Sequence, residues 1–147
     1  MTTSLITAPT AEPITLIEAK AHLRLEHTAD DTTVTACILA ARQYVEKVCS
    51  RGLVTQTWEL TLAKFPVVDE VKLPKGNLAS VTSVKYLDAN GAQQVLATVE
   101  YEVDDTNVPG FVRLADGKSW PGTRDRWNAV VIRYVIGWSV AAVPAPV

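Results

Sequence analysis

The feature that most constrains this chain is a change of apolar period at Gly52. Upstream of it, Val34, Ile38, Ala41, Val45 and Val48 recur at gaps of four, three, four and three, which sets them along one face of a helix. Downstream, Val54, Trp58, Leu60 and Leu62 alternate with Thr55, Thr57, Glu59 and Thr61, the pattern of a half-buried strand. Neither pattern fits the other element, so the chain divides into a helical front and a β-rich remainder.

The helical front reads as a pair. Thr15 and Glu18 have the spacing of a capping box, and Pro13 lies just upstream, where it interrupts no helical hydrogen bond. The first helix is expected from Leu16 to about Leu25. The second opens between Thr28 and Asp31, and Gly52 is its expected stop. Two helices with one apolar stripe each must bury those stripes against something. Residues 1–13, rich in Thr, Ala and Pro, read as a flexible extended arm.

Beyond Gly52 the punctuation is that of short strands. Phe65-Pro66 closes the first, Glu70 to Leu73 forms the next, and Lys75-Gly76-Asn77 turns the chain. Val81 to Leu87 and Gln93 to Thr98 flank Asp88-Ala89-Asn90-Gly91, a hairpin whose Asn-Gly pair takes positive φ angles readily. Tyr101 to Val103 and Phe111 to Leu114 follow, with the polar loop Asp104 to Asn107 and Pro109-Gly110 between them. Asp116 to Trp127 reads as a long irregular loop. The β-branched run Ala129 to Ile136 is expected as a central strand ending at Gly137. Val143-Pro144-Ala145-Pro146-Val147 cannot continue regular structure. The expected class is therefore α+β: an N-terminal helical pair, part of a small helical bundle (14–52), then a β-rich, mostly antiparallel body (53–138) and a tail (139–147).

The chain has 147 residues, and its 48% hydrophobic and 20% charged content suits one domain with a real core. A net charge of −2 gives no overall drive toward nucleic acid or an anionic membrane. No run of eighteen apolar residues and no basic-then-apolar leader is present, so neither membrane insertion nor secretion is expected. Cys37 and Cys49, twelve residues apart, would sit roughly 18 Å apart on one helix, too far for a disulfide. They read as reduced, buried thiols.

Charge is uneven along the chain. Between Arg113 and Arg133, the cations Arg113, Lys118, Arg124, Arg126 and Arg133 face only Asp116 and Asp125. This is either the solvated rim of a sheet or a surface turned toward a polyanion. Arg113, Lys118, Trp120, Arg124, Arg126 and Trp127 are the candidate interface or channel-facing residues. The stripe Val34, Ile38, Ala41, Val45 and Val48 is the candidate packing surface.

Catalytic chemistry finds little support. Glu18, His22 and Glu26, with His27, Asp30 and Asp31 nearby, have metal-compatible spacing, but i, i+4 pairs on an exposed helix face produce the same pattern. Glu102, Asp104, Asp105 and Asn107 lack the glycine and terminal glutamate of a calcium loop and read as a solvated turn. Nucleophile-elbow, metalloprotease and phosphate-loop motifs are absent. No enzyme activity, catalytic residue, metal or cofactor is expected. Trp120 and Trp138 read as covers for sheet edges and ends.

Several short stretches nevertheless form an ordered succession. Ile14-Thr15-Leu16-Ile17-Glu18-Ala19-Lys20-Ala21-His22-Leu23-Arg24 resembles the opening of phage head–tail connector (adaptor) proteins, in the β-domain-containing branch often labelled DNA-packaging proteins. Arg51 to Trp58 is similar to that branch's helix-to-strand junction. Phe65-Pro66, Leu73-Pro74, Ser80 to Val84, Asp88 to Gly91, Tyr101 to Asp104 and Ser119-Trp120-Pro121 continue the likeness in order. The resemblance implies a structural virion protein forming a homo-oligomeric, dodecameric ring under the portal protein. Such a ring extends the DNA channel and carries the neck, stopper or tail-completion protein. Double-stranded DNA would pass without sequence-specific binding, and no membrane would be involved. It also implies location at the portal vertex, after a stage in the host cytoplasm. Relatives of this kind continue past Val147 into helices expected to pack on the Val34–Val48 stripe. A DNA-binding packaging factor is the alternative. It is disfavoured because Lys20, Arg24, Arg42 and Lys47 meet Glu12, Glu18, Glu26, Asp30, Asp31 and Glu46 in the first fifty residues.

Overall fold

The computed structural model describes residues 1–143, so the expectation for Pro144 to Val147 lies outside the described residues. Helix α1 spans Leu16–Leu23 and α2 spans Asp31–Cys49. The capping box forms at α1: Thr15 Oγ1 accepts from the Glu18 N–H at 3.2 Å, and Glu18 Oε2 accepts from the Thr15 N–H at 2.7 Å. Arg24, in the left-handed region at φ 57, ends α1. The two helices are joined by Lys20 Nζ on Asp31 Oδ1 at 2.6 Å. Among the described residues, no helix is long and apolar enough to cross a membrane.

The stop of α2 differs from expectation. Ser50, at φ 51, makes the left-handed turn two residues before Gly52. Gly52 is needed for a different reason: a Cβ there would come within 2.8 Å of the Ile136 side chain. The glycine thus permits close approach of the helix exit to the sheet. The cysteines also depart from expectation. Cys37 and Cys49 are free, as read, but both are exposed, because the neighbouring helical surface is uncovered.

Among the described residues, eight strands form two sheets. The larger has order β1-β2-β8-β4-β5, with β1 at Thr2–Thr7, β2 at Gln56–Leu62, β8 at Val130–Ile136, β4 at Leu78–Leu87 and β5 at Gln93–Val95. The smaller has order β3-β7-β6, with β3 at Glu70–Lys72, β7 at Phe111–Leu114 and β6 at Tyr101–Asp104. Each pairing between these strands is antiparallel, and an isolated bridge of Val54 with Trp138 is parallel. The core lies between the sheets, where Leu60, Val84, Ile132 and Tyr134 of the larger meet Val71, Val112 and Tyr101 of the smaller. β8 is central as expected: Val130, Ile132, Tyr134 and Ile136 are buried while Val131, Arg133 and Val135 are half-buried.

Two expectations are refined by the strands. The N-terminal arm is extended, but residues 2–7 are docked as β1 beside β2, with Thr2 opposite Thr61 and Leu5 opposite Trp58. The β4–β5 hairpin forms, yet only Gly91 takes a positive φ, at 85°. Asp88 replaces the second left-handed residue: its Oδ1 accepts from the N–H groups of Asn90 (2.9 Å) and Ala92 (3.0 Å).

The register gives the body two ends. β2 begins, β8 ends and β4 begins at the helical end, where the Gly52 N–H donates to the Lys75 carbonyl at 3.2 Å. At the other end lie the β2–β3 connection, the β4–β5 turn and the loop 115–129, with the Arg124 N–H donating to the Leu87 carbonyl at 3.0 Å.

Candidate functional site

The helical stripe is split between core and surface. Val34 and Ile38 are buried against α1, whereas Ala41, Val45 and Val48 are exposed, Val48 to 64%. Tyr44, exposed to 69%, joins them, so 41, 44, 45 and 48 form an uncovered apolar strip at helical spacing. Toward the start of α2 this strip runs into a groove of about 380 Å³ floored by Val34 and Ile38 and walled by Ile14 and Leu23. The two helices alone leave most of their apolar surface in solvent.

The basic cluster read from residues 113–133 is dispersed in space. Arg133 donates to Glu59 Oε1 through Nε at 2.8 Å, and Lys118 Nζ reaches Glu100 Oε1 at 3.1 Å. Arg113 stands in register between Glu70 of β3 and Glu102 of β6. Arg124 leans on the Asn90 carbonyl at 3.4 Å, and with Arg126 it has no carboxylate within 4 Å among the described residues. Both stay free at the loop end, beside Trp127, which is 86% exposed.

Trp120 and Trp127 have opposite situations. Trp120 stacks on Phe65 with ring centroids 4.6 Å apart, and its Nε1 donates to the Val68 carbonyl at 2.9 Å. It closes the end of the sheet sandwich and anchors the β2–β3 connection. Trp127 contributes nothing comparable to the interior and stands in solvent.

Among the described residues no three His, Cys, Asp or Glu side chains converge as a metal site. Asp104 caps its own turn: Oδ1 accepts from the Thr106 hydroxyl at 2.6 Å and the Thr106 N–H at 3.0 Å, and Asn107 Nδ2 donates to Oδ2 at 2.5 Å. These donors, Thr106 first, hold its carboxyl well below the usual range, at about 2. Burial pushes the Tyr134 phenol above its ordinary value, with its hydroxyl donating to the Pro74 carbonyl at 3.1 Å.

Arg42 was not singled out by sequence. It is buried on α2 between two carboxylates, with Nε on Glu12 Oε2 at 2.7 Å and Nη1 on Glu46 Oε2 at 3.0 Å. Glu46 Oε1 in turn accepts from Gln56 Nε2 at 2.8 Å and the Leu53 N–H at 2.9 Å. This network ties the N-terminal segment, α2 and β2 together. The i, i+4 pair of Arg42 with Glu46 was the available signal, but it gave no hint of burial.

The family model for phage gp6-like head–tail connector proteins matches residues 13–107. The chain belongs to this head–tail connector family. The match begins just before α1 and includes both helices, the helix exit and strands β2 to β6. Solved structures agree in fold. A chain in the neck of an empty gene transfer agent particle, computed with C6 symmetry, superposes with a TM-score of 0.82 at 22% identity. A chain in the virion of the native gene transfer agent particle gives 0.79 at 25%. One in the neck of the native particle, computed with C12 symmetry, gives 0.70 at 26%. Each alignment covers 98% of this connector and about three-quarters (75–76%) of the other chain. No curated protein sequence matches.

Proposed function

We propose that this connector acts as a repeated structural subunit of the particle neck, closing into a ring beneath the portal. Contacts would be heterologous, each copy presenting one surface to the next, and a rotation that closes gives a ring. The observation that carries the reading is the uncovered strip Ala41, Tyr44, Val45 and Val48, on a chain whose family is that of head–tail connectors. Apolar surface of this extent on one helix face needs a neighbour, and in a ring every copy supplies one. The C12 symmetry of the native-particle neck, which contains a similar chain, supports twelve copies, and the C6 symmetry of the empty-particle neck is compatible with that number.

In this reading the activity is mechanical. The ring continues the channel for double-stranded DNA without reading its sequence, and the free loop end, with Arg124, Arg126 and Trp127, meets the portal or the next neck or tail-completion protein. The packaging-factor alternative loses two of the cations it would need, since Arg133 and Lys118 are held by Glu59 and Glu100. Assembly would start from subunits in the host cytoplasm and end in the virion neck.

The test is native mass spectrometry of neck complexes from purified particles, with the isolated protein alongside. A closed multiple of the 16.0 kDa subunit with portal protein is the expected result. Absence from the neck, with salt-dependent retention on duplex DNA, would overturn it.

A further inference from the structure

The turn after β3 seats on the last turn of α2. Gly76 lies so close to Arg51 that a Cβ would come within 2.6 Å of its Cγ, and Lys75 and Gly76 both have φ near +79° (78° and 79°). This junction gathers cations from two distant stretches: Lys47 and Arg51 from the end of α2, Lys72 and Lys75 from β3 and its turn.

Two clefts flank the junction and share Arg51 and Lys75. One, of about 470 Å³, is walled by Arg51, Lys72, Lys75, Val108 and Pro109 and has no carboxylate in its lining. The other, of about 550 Å³, adds Lys47, Trp58 and Leu39; its carboxylates, Glu12 and Glu46, are both held by Arg42. Lys75 Nζ stands 4.7 Å from the centre of the Trp58 ring. None of the four cations has a carboxylate within 4 Å among the described residues. The negative end of the α2 dipole accounts for Lys47 and Arg51, but not for Lys72 and Lys75, which come from the body.

We propose that this junction is a docking site for an acidic segment of a partner protein that also carries apolar side chains. Carboxylates would meet the Arg51 fork and the lysine ammonium groups. Apolar side chains would enter the clefts beside Trp58, Leu39 and Val108. A DNA duplex offers phosphates but nothing to fill concave apolar walls, so the shape selects a peptide chain. The site does not depend on ring closure.

The experiment uses the full chain and a short fluorescein-labelled peptide of glutamates interspersed with leucines, read by anisotropy. Saturable binding is expected, weakened at least about tenfold by R51Q together with K72Q, as when charged partners are removed from an interface. R124A with R126A, at the opposite end, should leave it within about twofold. An R51E/K72E chain with an unchanged circular dichroism melt should abolish it. Lack of saturable binding, or equal loss in the R124A/R126A control, overturns the proposal. Displacement of the peptide by duplex DNA through Arg51 and Lys72 would overturn it in favour of a nucleic-acid surface.

Discussion

Arg42 Nε and Glu12 Oε2 meet at 2.7 Å although thirty residues separate them in sequence. The pair fixes where the N-terminal segment leaves β1 and enters α1. Replacing Arg42 by alanine leaves Glu12 and Glu46 facing each other without a counter-ion. The loss should be about 2 kcal/mol, below the roughly 3–5 kcal/mol of a fully buried broken pair because Glu12 stays partly solvated. Glu12→Gln, which leaves Glu46 in place, should cost about 1 kcal/mol. Urea denaturation of the two variants checks both the size and the order.

Trp120 and Trp127 should respond oppositely to truncation. Trp120→Ala removes the Phe65 stack and the bond to the Val68 carbonyl. A half-buried aromatic of this kind should cost about 2–3 kcal/mol, below the roughly 3–5 kcal/mol of a fully buried one. Trp127→Ala should change stability by less than about 0.5 kcal/mol. A comparable loss from both variants, measured by thermal melting, would show that the loop 115–129 is more deeply packed than its exposure implies.

How far the sequence reached is visible in particular elements. The α1 cap was legible because its chemistry is local: Thr15 and Glu18 are three residues apart. β8 was legible because a strand paired on both edges and packed on one face shows a β-branched run. β1 was not, since Thr2–Thr7 becomes a strand only by pairing with β2, some fifty residues on. The pairing within the basic cluster was hidden for the same reason, as Glu59 and Glu100 lie outside the window in which Arg133 and Lys118 were counted. Lys47, Arg51, Lys72 and Lys75 were invisible because they converge only through the turn at Gly76. Periodicity identified the face of α2, but it could not say how much of that face finds a cover.

The Asp104 turn gives a pH dependence with a definite sign. Its carboxyl falls from the ordinary 3.8 to about 2 through bonds from Thr106 and Asn107. A group depressed on folding binds fewer protons in the folded state, so its contribution is complete above the unfolded value. It is lost as pH falls from about 4 to about 2. Protection of the Thr106 and Asn107 amides, measured against their intrinsic exchange rates, should therefore fall across that window. In Asp104→Asn that protection should be weaker already at neutral pH and show no step through the acid range.

The exposed half of the helical stripe separates folding from assembly. Val45 and Val48 touch no core residue strongly enough to be buried, while Val34 and Ile38 on the same face are. Val45→Asp with Val48→Asp should thus leave the melting of the isolated chain almost unchanged, within about 0.5 kcal/mol per site. In an assembled neck the same carboxylates would lie in an apolar contact, where an unpaired charge is strongly disfavoured. The double variant should fold, stay monomeric and fail to enter particles. Val34→Ala should instead cost about 1–3 kcal/mol in the isolated chain, because it empties a buried site. If the aspartate variant assembled normally, the ring contact would have to be sought on another face, and the loop end at Trp127 would be the next to examine.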